Sequence, residues 1–345
     1  MVSKIRLFVF TISIHIPILC YPLYLSLDSV AEWGTFPRFC VNTYRWCDRL
    51  FNSMDTSYIN TTGYKMNIKL RSNCWFDHND FYWKRNNEIE MRSPATSTVG
   101  FDITYLAIAL GYDVNINKLL GGIDRTKSKV NFSFSCALFT VGAYSIKNDV
   151  GMNVTKFDNK SGFNVPFKGV NTSTLGIDAY YYFNNKRYSH AAAFSFSKIQ
   201  LRSQGSVLLG LSYCDRNLHF DFSCLPIDMD IELPSYWKNR IYEANMITLG
   251  IIGGYGYNCI LCRKFTVGVE CAIIPSLAYG NKNSDTNEYS FIITNRAAVS
   301  TVYNNNRCFF GIIGLSDIGL ILDSHSMLAN SIVSIEMKIG WRFNL

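Results

Sequence analysis

The stretch Val333-Ser334-Ile335-Glu336-Met337-Lys338-Ile339-Gly340-Trp341-Arg342-Phe343-Asn344-Leu345 decides the fold. Every odd position is apolar, and every even position is polar or glycine. A period of two belongs to a strand whose two faces meet different surroundings. The run lasts thirteen residues, whereas strands in soluble sheets are usually about five or six residues long. A tilted strand that crosses a bilayer needs about 9–11. Strict alternation of this length, rich in aromatic and aliphatic side chains, is what an outer-membrane barrel requires.

The same period recurs upstream. Tyr64, Met66, Ile68 and Leu70 alternate with Lys65, Asn67, Lys69 and Arg71. Val99, Phe101, Ile103 and Tyr105 form the next apolar face, and after Tyr105 the parity flips to Leu106 and Ile108. A flip without a gap marks a tight turn. Further apolar faces begin at Val130, Leu175, Val207, Leu218, Ile247, Phe265, Phe291 and Phe309. Short turns are expected near Tyr105–Leu106, Leu138–Phe139, Asn184–Lys186, Asp215–Arg216, Asn258–Arg263 and Asn304–Asn306, with longer connections between them. Six short and seven long connections imply fourteen strands, with twelve the alternative, and place both ends of the sheet on the periplasmic side. The fold class expected is therefore all-β: a transmembrane antiparallel up-and-down β-barrel over residues 61–345 in the cell outer membrane. The competing reading is a secreted soluble β-sandwich or lectin-like barrel, since alternation alone does not say which face is inside.

Composition agrees with two faces of opposite character. The 345 residues are 48% hydrophobic and 15% aromatic, with a mean hydropathy of only +0.05. Charged residues make up 17%, against about 25% in an ordinary soluble domain. So aromatic and charge-poor a chain is not disordered, and the absence of heptads excludes a coiled coil. Residues 1–27 carry Lys4 and Arg6 ahead of an apolar run from Leu7 to Leu19, the layout of an export signal. Pro17 and Pro22 interrupt that run, against an anchor helix. Two of the net seven positive charges lie in this segment. Residues 28–60 do not alternate; Phe36, Phe39, Tyr44, Cys47, Leu50 and Phe51 recur at helical spacing. That spacing predicts an amphipathic helix at the periplasmic mouth or on the inner leaflet, with a plug inside the lumen as the sharper alternative.

Several stretches resemble a Bacteroidota family of outer-membrane barrels catalogued as a domain of unknown function. They are Asp55-Thr56-Ser57-Tyr58-Ile59, the Thr98–Val114 strand pair, His190-Ala191-Ala192-Ala193-Phe194, Gly205-Ser206-Val207-Leu208-Leu209-Gly210 and Gly253-Gly254-Tyr255-Gly256-Tyr257. The resemblance implies a barrel over about residues 50–345. It implies no catalytic or ligand residues.

If the apolar faces meet lipid, the polar faces line the lumen. Where the first strand meets the last, Lys65, Lys69, Arg71, Lys338 and Arg342 gather around Glu336. These six are the candidate lumen-binding residues, for an anionic solute or the charged head of an amphiphile. The competing expectation is that they pair with Asp102, Asp178 and Glu270 in a filled lumen, because buried charge must be compensated. His219 and Asp221 are also expected in the lumen and form the one acid–base pairing in view, without a nucleophile beside them. No catalytic residue, metal or cofactor is expected. Cys259 and Cys262 lie in a turn with no second ligand pair, so a turn disulfide or two free thiols is expected there; Cys40 with Cys47 and Cys214 with Cys224 are further pairings. The expected partners are outer-membrane lipid and other envelope proteins, not nucleic acid. The function expected first is a channel or transporter for a small or amphiphilic solute. A non-conducting accessory barrel that docks envelope proteins is the alternative, and an outer-membrane enzyme acting on lipid or peptide the remote one.

Overall fold

The structure, a computed structural model, describes residues 27–83, 87–105, 108–116, 127–158, 160–225, 240–282, 287–322 and 326–344. Nearly all of the expected export signal lies outside them. The chain divides into two compact units, residues 1–53 and 54–345.

In the first unit, α1 (Leu27–Ala31) is followed by α2 (Thr35–Asn52). Gly34 sits between them at φ 144°, a conformation that disfavours a Cβ. Asp28 of α1 pairs with Arg45 of α2 at 2.5 Å, and Val41 is buried. The aromatic side chains of Phe36, Phe39, Tyr44 and Trp46 are exposed. No helix among the described residues is long and apolar enough to cross a membrane.

The second unit is mostly β and antiparallel. Its long strands, in chain order, are β1 (Met66–Trp83), β2 (Thr96–Tyr105), β3 (Ile108–Asn115), β4 (Lys127–Ser135), β5 (Phe139–Asn148) and β6 (Val170–Tyr182). They continue as β7 (Gln204–Asp221), β8 (Ile241–Cys262), β9 (Phe265–Lys282), β10 (Asn287–Asn305), β11 (Cys308–Leu322) and β12 (Ser326–Phe343). Each pairs with the next, and β12 returns to β1 in a continuous register from Phe343↔Met66 to Ser326↔Trp83. The pairing order is thus cyclic.

Burial answers what alternation left open. Leu70, Leu211, Leu249 and Ile339 expose 57%, 67%, 64% and 57% of their surface, while their sequence neighbours Lys69, Arg71, Thr248 and Gly250 are buried. The apolar face is the outer one.

Two expectations are corrected. Asp215–Arg216 is not a turn: β7 runs straight through it, paired on one side with Leu175 and Thr174 and on the other with Ile247 and Met246. The parity change that suggested a turn has another cause. Beyond Arg216 the interior becomes apolar, so Leu218 and Phe220 turn inward, and His219 and Asp221 do not face the lumen. The short turn expected near Asn184–Lys186 does not lead into a further strand over 187–197 either. Residues 183–203 form one long connection containing a π-helical turn, Ala191–Ser195, and a short strand, Lys198–Gln200. These two changes account for the difference between the fourteen strands expected and the twelve that the described residues place in the cyclic order.

The remaining connections at that end are tight, joining Tyr105 to Ile108, Ser135 to Phe139, Cys262 to Phe265 and Asn305 to Cys308. At the far end two of the connections carry three further strands, Asn87–Arg92, Met152–Phe157 and Lys160–Phe167, which pair with one another and with the end of β1.

Candidate functional site

Reading down β7 from the far end gives the interior's three levels. Phe220 and Leu218 belong to a large apolar cluster with Phe81, Trp83, Met91, Val154 and Phe167. Ile89, Met91, Met152, Val154 and Phe167 of this cluster come from the three short far-end strands. Phe81 meets Phe220, Phe222 and Tyr242 edge-on at 4.9–5.5 Å. Below lies a charged level, with Ser212 on β7. Below that, Leu208 packs with Tyr182, Tyr188 and Ile252, and Phe196 with Val302, Phe309 and Ile313.

The charged level holds two networks. In the first, Arg71 Nη2 lies 2.8 Å from Asp113 Oδ1 and 3.3 Å from Asp102 Oδ1, and its Nε lies 3.4 Å from Glu336 Oε1. Lys338 Nζ completes it at 2.9 Å from Glu336 Oε2. Gly111 makes this packing feasible: a Cβ there would run into the Asp102 carboxylate and the Arg71 guanidinium. In the second, Arg296 donates to Asp317 Oδ1 at 2.6 Å and to Asp178 Oδ2 at 2.9 Å, as well as to the Tyr180 hydroxyl. Ser212 Oγ donates to the other Asp178 oxygen at 2.6 Å. Lys129 stands near both Glu336 and Asp317. Lys69, Arg71, Lys129, Arg296 and Lys338 are matched in number by Asp102, Asp113, Asp178, Asp317 and Glu336, and Arg216, which lines a small cavity with Arg296 and Asp317, adds a sixth cation.

The six residues singled out from sequence are not one strip. Lys69, Arg71, Glu336 and Lys338 meet around a polar cavity of about 140 Å³. Lys65 is exposed, beyond the start of β1, and its backbone N–H donates to Asn344. Arg342 lies lower and is 1% exposed. Asp113, Arg296 and Asp317 were missed. Parity marks Asp113 and Arg296 as inward-facing, whereas Asp317 shares the parity of Phe309 and Ile313, a face expected outside that the structure turns inward; only the register shows which partners they reach.

The lower level is closed by the 183–203 connection. Arg342 donates to the backbone carbonyls of Phe196 and Asn306 and, at 2.9 Å, to Asn304 Oδ1. Its guanidinium also stacks 4.3 Å from the Phe309 ring. Phe196 takes a left-handed backbone (φ 60°), and its ring fills the space that a side chain at Gly311 would need. His190 lies between the rings of Tyr182 and Phe194, with Nδ1 3.0 Å from Glu270 Oε2. Gln200 ties the segment together. Its Nε2 donates to the carbonyls of Tyr58, Arg187 and Arg202, and its Oε1 accepts from Ser189 N and Asn258 Nδ2.

A strap fastens this closure from below. Ile59–Thr61 pairs with Lys198–Gln200, and the guanidinium groups of Arg187 and Arg202 lie 5.1 and 5.3 Å from the Tyr58 ring. Asp55 begins the strap by accepting from Ser57 Oγ at 2.6 Å and Ser57 N at 2.9 Å. These bonds hold the Asp55 carboxyl below its ordinary value of 3.8. A depressed folded-state value means the contribution is present at neutral pH and lost as pH falls through it. Amide exchange at Ile59–Thr61 is therefore expected to stay protected at neutral pH and to lose protection under strong acid, and Asp55→Asn to reduce it at neutral pH. Unchanged protection in the variant would show that the turn does not hold the strap.

The ten described cysteines are all free, so none of the expected pairings forms. Asp221 accepts from Ser223 N, Ser223 Oγ and Cys224 Sγ; it is committed to its own turn rather than to His219. His78, Asp80 and Glu90 bring three ligand-type atoms within 4.8 Å of one another, but Lys156 already sits 3.5 Å from Glu90.

The molecule is thus a mostly-β, antiparallel protein with an apolar outer face and an interior rich in ion pairs. Residues 53–343 match the family described as Domain of unknown function (DUF4421), and the chain belongs to that family. Among solved structures it is similar to the outer membrane protease OmpT from Escherichia coli, at 6% identity over 81% of this chain and 96% of that one, with a TM-score of 0.34. It is also similar to the P. putida toluene transporter TodX, at 8% identity over 86% of this chain and 98% of that one, with a TM-score of 0.23. Overlaps this slight carry neither activity across. No curated protein matches in sequence.

Proposed function

We propose that the chain is a twelve-stranded transmembrane barrel of the outer membrane that does not conduct in its resting form and serves as an accessory barrel docking other envelope proteins. The membrane part of this reading rests on the exposed apolar face, far larger than the patch of a few hundred Å² that a soluble protein leaves bare. Aromatic pairs border it at both levels of β9 and β10: Phe265 with Tyr303, and Tyr279 with Tyr289. Phe265 and Tyr279 are fourteen residues apart on β9, which is about 46 Å along a strand. At a tilt of about 40° that spans roughly 35 Å, between the thickness of the hydrocarbon core and that of the whole bilayer. On this reading α2 lies on the inner leaflet through its bare aromatic face. Leu249→Arg, near mid-height of the outer face, is expected to cost about 2–4 kcal/mol of folding stability in lipid. A cost near zero would mean that Leu249 does not meet hydrocarbon.

The resting closure rests on one observation: apolar side chains fill the interior above and below the charged level. Most of the charges between them are paired with one another, and the surplus cation, Arg216, sits in a cavity of only about 60 Å³. Planar-bilayer recordings of the full chain test this. The expected result is no channel steps, and stable steps in most insertions would overturn it. A channel or transporter role is favoured by one feature, the polar cavity of about 140 Å³ beside Arg71 and Lys338. It would require the 183–203 connection and the far-end cluster both to move.

A further inference from the structure

At the short-turn end the connecting segments are rich in exposed cations. Lys186, Arg187, Arg202, Arg263, Lys264 and Arg307 are all exposed. Asp55 is the one carboxylate among the described residues of these segments, and it is occupied by Ser57 with Arg187 at 3.9 Å. Three of the cations, Arg202, Arg263 and Lys264, border a hollow of about 500 Å³. No acidic residue lines it. Ile199 and Leu201 supply an apolar wall, and Ser57 and Asn304–Asn306 supply polar groups. The Cys262–Phe265 and Asn305–Cys308 turns that carry much of this lining are fixed by the strand register on both sides. The volume suits a small organic ligand, for which pockets run from about 300 to 1,000 Å³.

We infer that this hollow binds a phosphate-bearing ligand. Three cations lining one hollow, with no acidic residue in the lining and only Asp55 near Arg202, exceed what one carboxylate would neutralise and suit a group carrying close to two negative charges. Guanidinium forks bind phosphate oxygens in pairs, and an ammonium adds a point charge. The apolar wall leaves room for the organic part of an ester. The phosphate could belong to a soluble ester or to an anionic lipid headgroup at the rim. The inference rests on this end of the barrel facing water, and not on whether the barrel conducts.

The test uses the full chain in phosphatidylcholine nanodiscs, titrated calorimetrically with glycerol 1-phosphate. Saturable binding of one equivalent is expected. Arg202→Gln with Arg263→Gln should weaken it at least tenfold, whereas Arg307→Gln, a rim cation that does not line the hollow, should leave it unchanged. All variants should keep the faster gel migration of the unboiled fold. Repeating the titration in nanodiscs containing phosphatidylglycerol separates the sources. Loss of binding there assigns the site to a lipid headgroup, and unchanged binding assigns it to a soluble ester; both outcomes support the site. Absence of saturable binding in phosphatidylcholine, or equal weakening by Arg307→Gln, would overturn it. Failure of the wild type to enter nanodiscs would speak instead against the membrane reading.

Discussion

Arg71→Met is expected to lower the stability of the folded barrel by about 3–5 kcal/mol, the usual cost of removing one partner from a buried ion pair. Arg71 is the only guanidinium in contact with Asp102, Asp113 and Glu336 among the described residues. Without it Lys338 still neutralises Glu336, but Asp102 and Asp113 are left buried without that counter-charge. Adding Asp113→Asn should recover part of the loss, because one fewer carboxylate then lacks compensation. Urea unfolding in micelles, followed by tryptophan fluorescence, gives the midpoint shifts. A loss below about 1 kcal/mol, the range of a solvated surface pair, would mean that water fills this level and that the interior is more open than its packing indicates.

The second large effect is on conductance. The interior is stopped twice, so removing one stopper should not open it. Replacing residues 189–199 by a short Gly-Ser linker removes Phe196 and Tyr188's neighbouring turn from the lower level. Removing Met152–Phe167 strips the far-end cluster of Met152, Val154 and Phe167. Each variant alone is expected to stay closed in planar bilayers, and the two combined to give stable open steps. Opening by the first deletion alone would show that the far-end cluster is no barrier. Silence of the double deletion, with the fold retained, would show that the strand-borne side chains that remain close the lumen without these two segments.

Much of the fold was legible because alternation over long strands is a local signal. The thirteen residues from Val333 predicted β12 and its exposed face, and the parity flip after Tyr105 marked the β2–β3 hairpin. The same rule failed at Asp215–Arg216. There a parity flip reflects a change in what fills the interior, polar at Ser212 and apolar at Leu218, while the strand continues. Sequence cannot separate these cases without knowing the far-end cluster. It failed again at His190–Phe194, where three alanines and two aromatic side chains look like strand material but fold into a π-helical turn. Their burial depends on distant partners, such as Arg342 on the Phe196 carbonyl and Gln200 on three others. The charged site was half legible: Lys69, Arg71, Glu336 and Lys338 follow from the pairing of first strand with last. Asp113 and Arg296 enter only through the register of β3 and β10, which no single strand's pattern contains.

The central claim is that the apolar face of each strand meets lipid and the charged face does not. Single cysteines placed in turn from Met246 to Ile251 on β8, in a cysteine-free background and labelled with an environment-sensitive fluorophore, test it directly in bilayers containing a lipid-borne quencher. Strong quenching is predicted at 247, 249 and 251 and little at 246, 248 and 250. Equal quenching along the strand, or none at any position, would contradict the account.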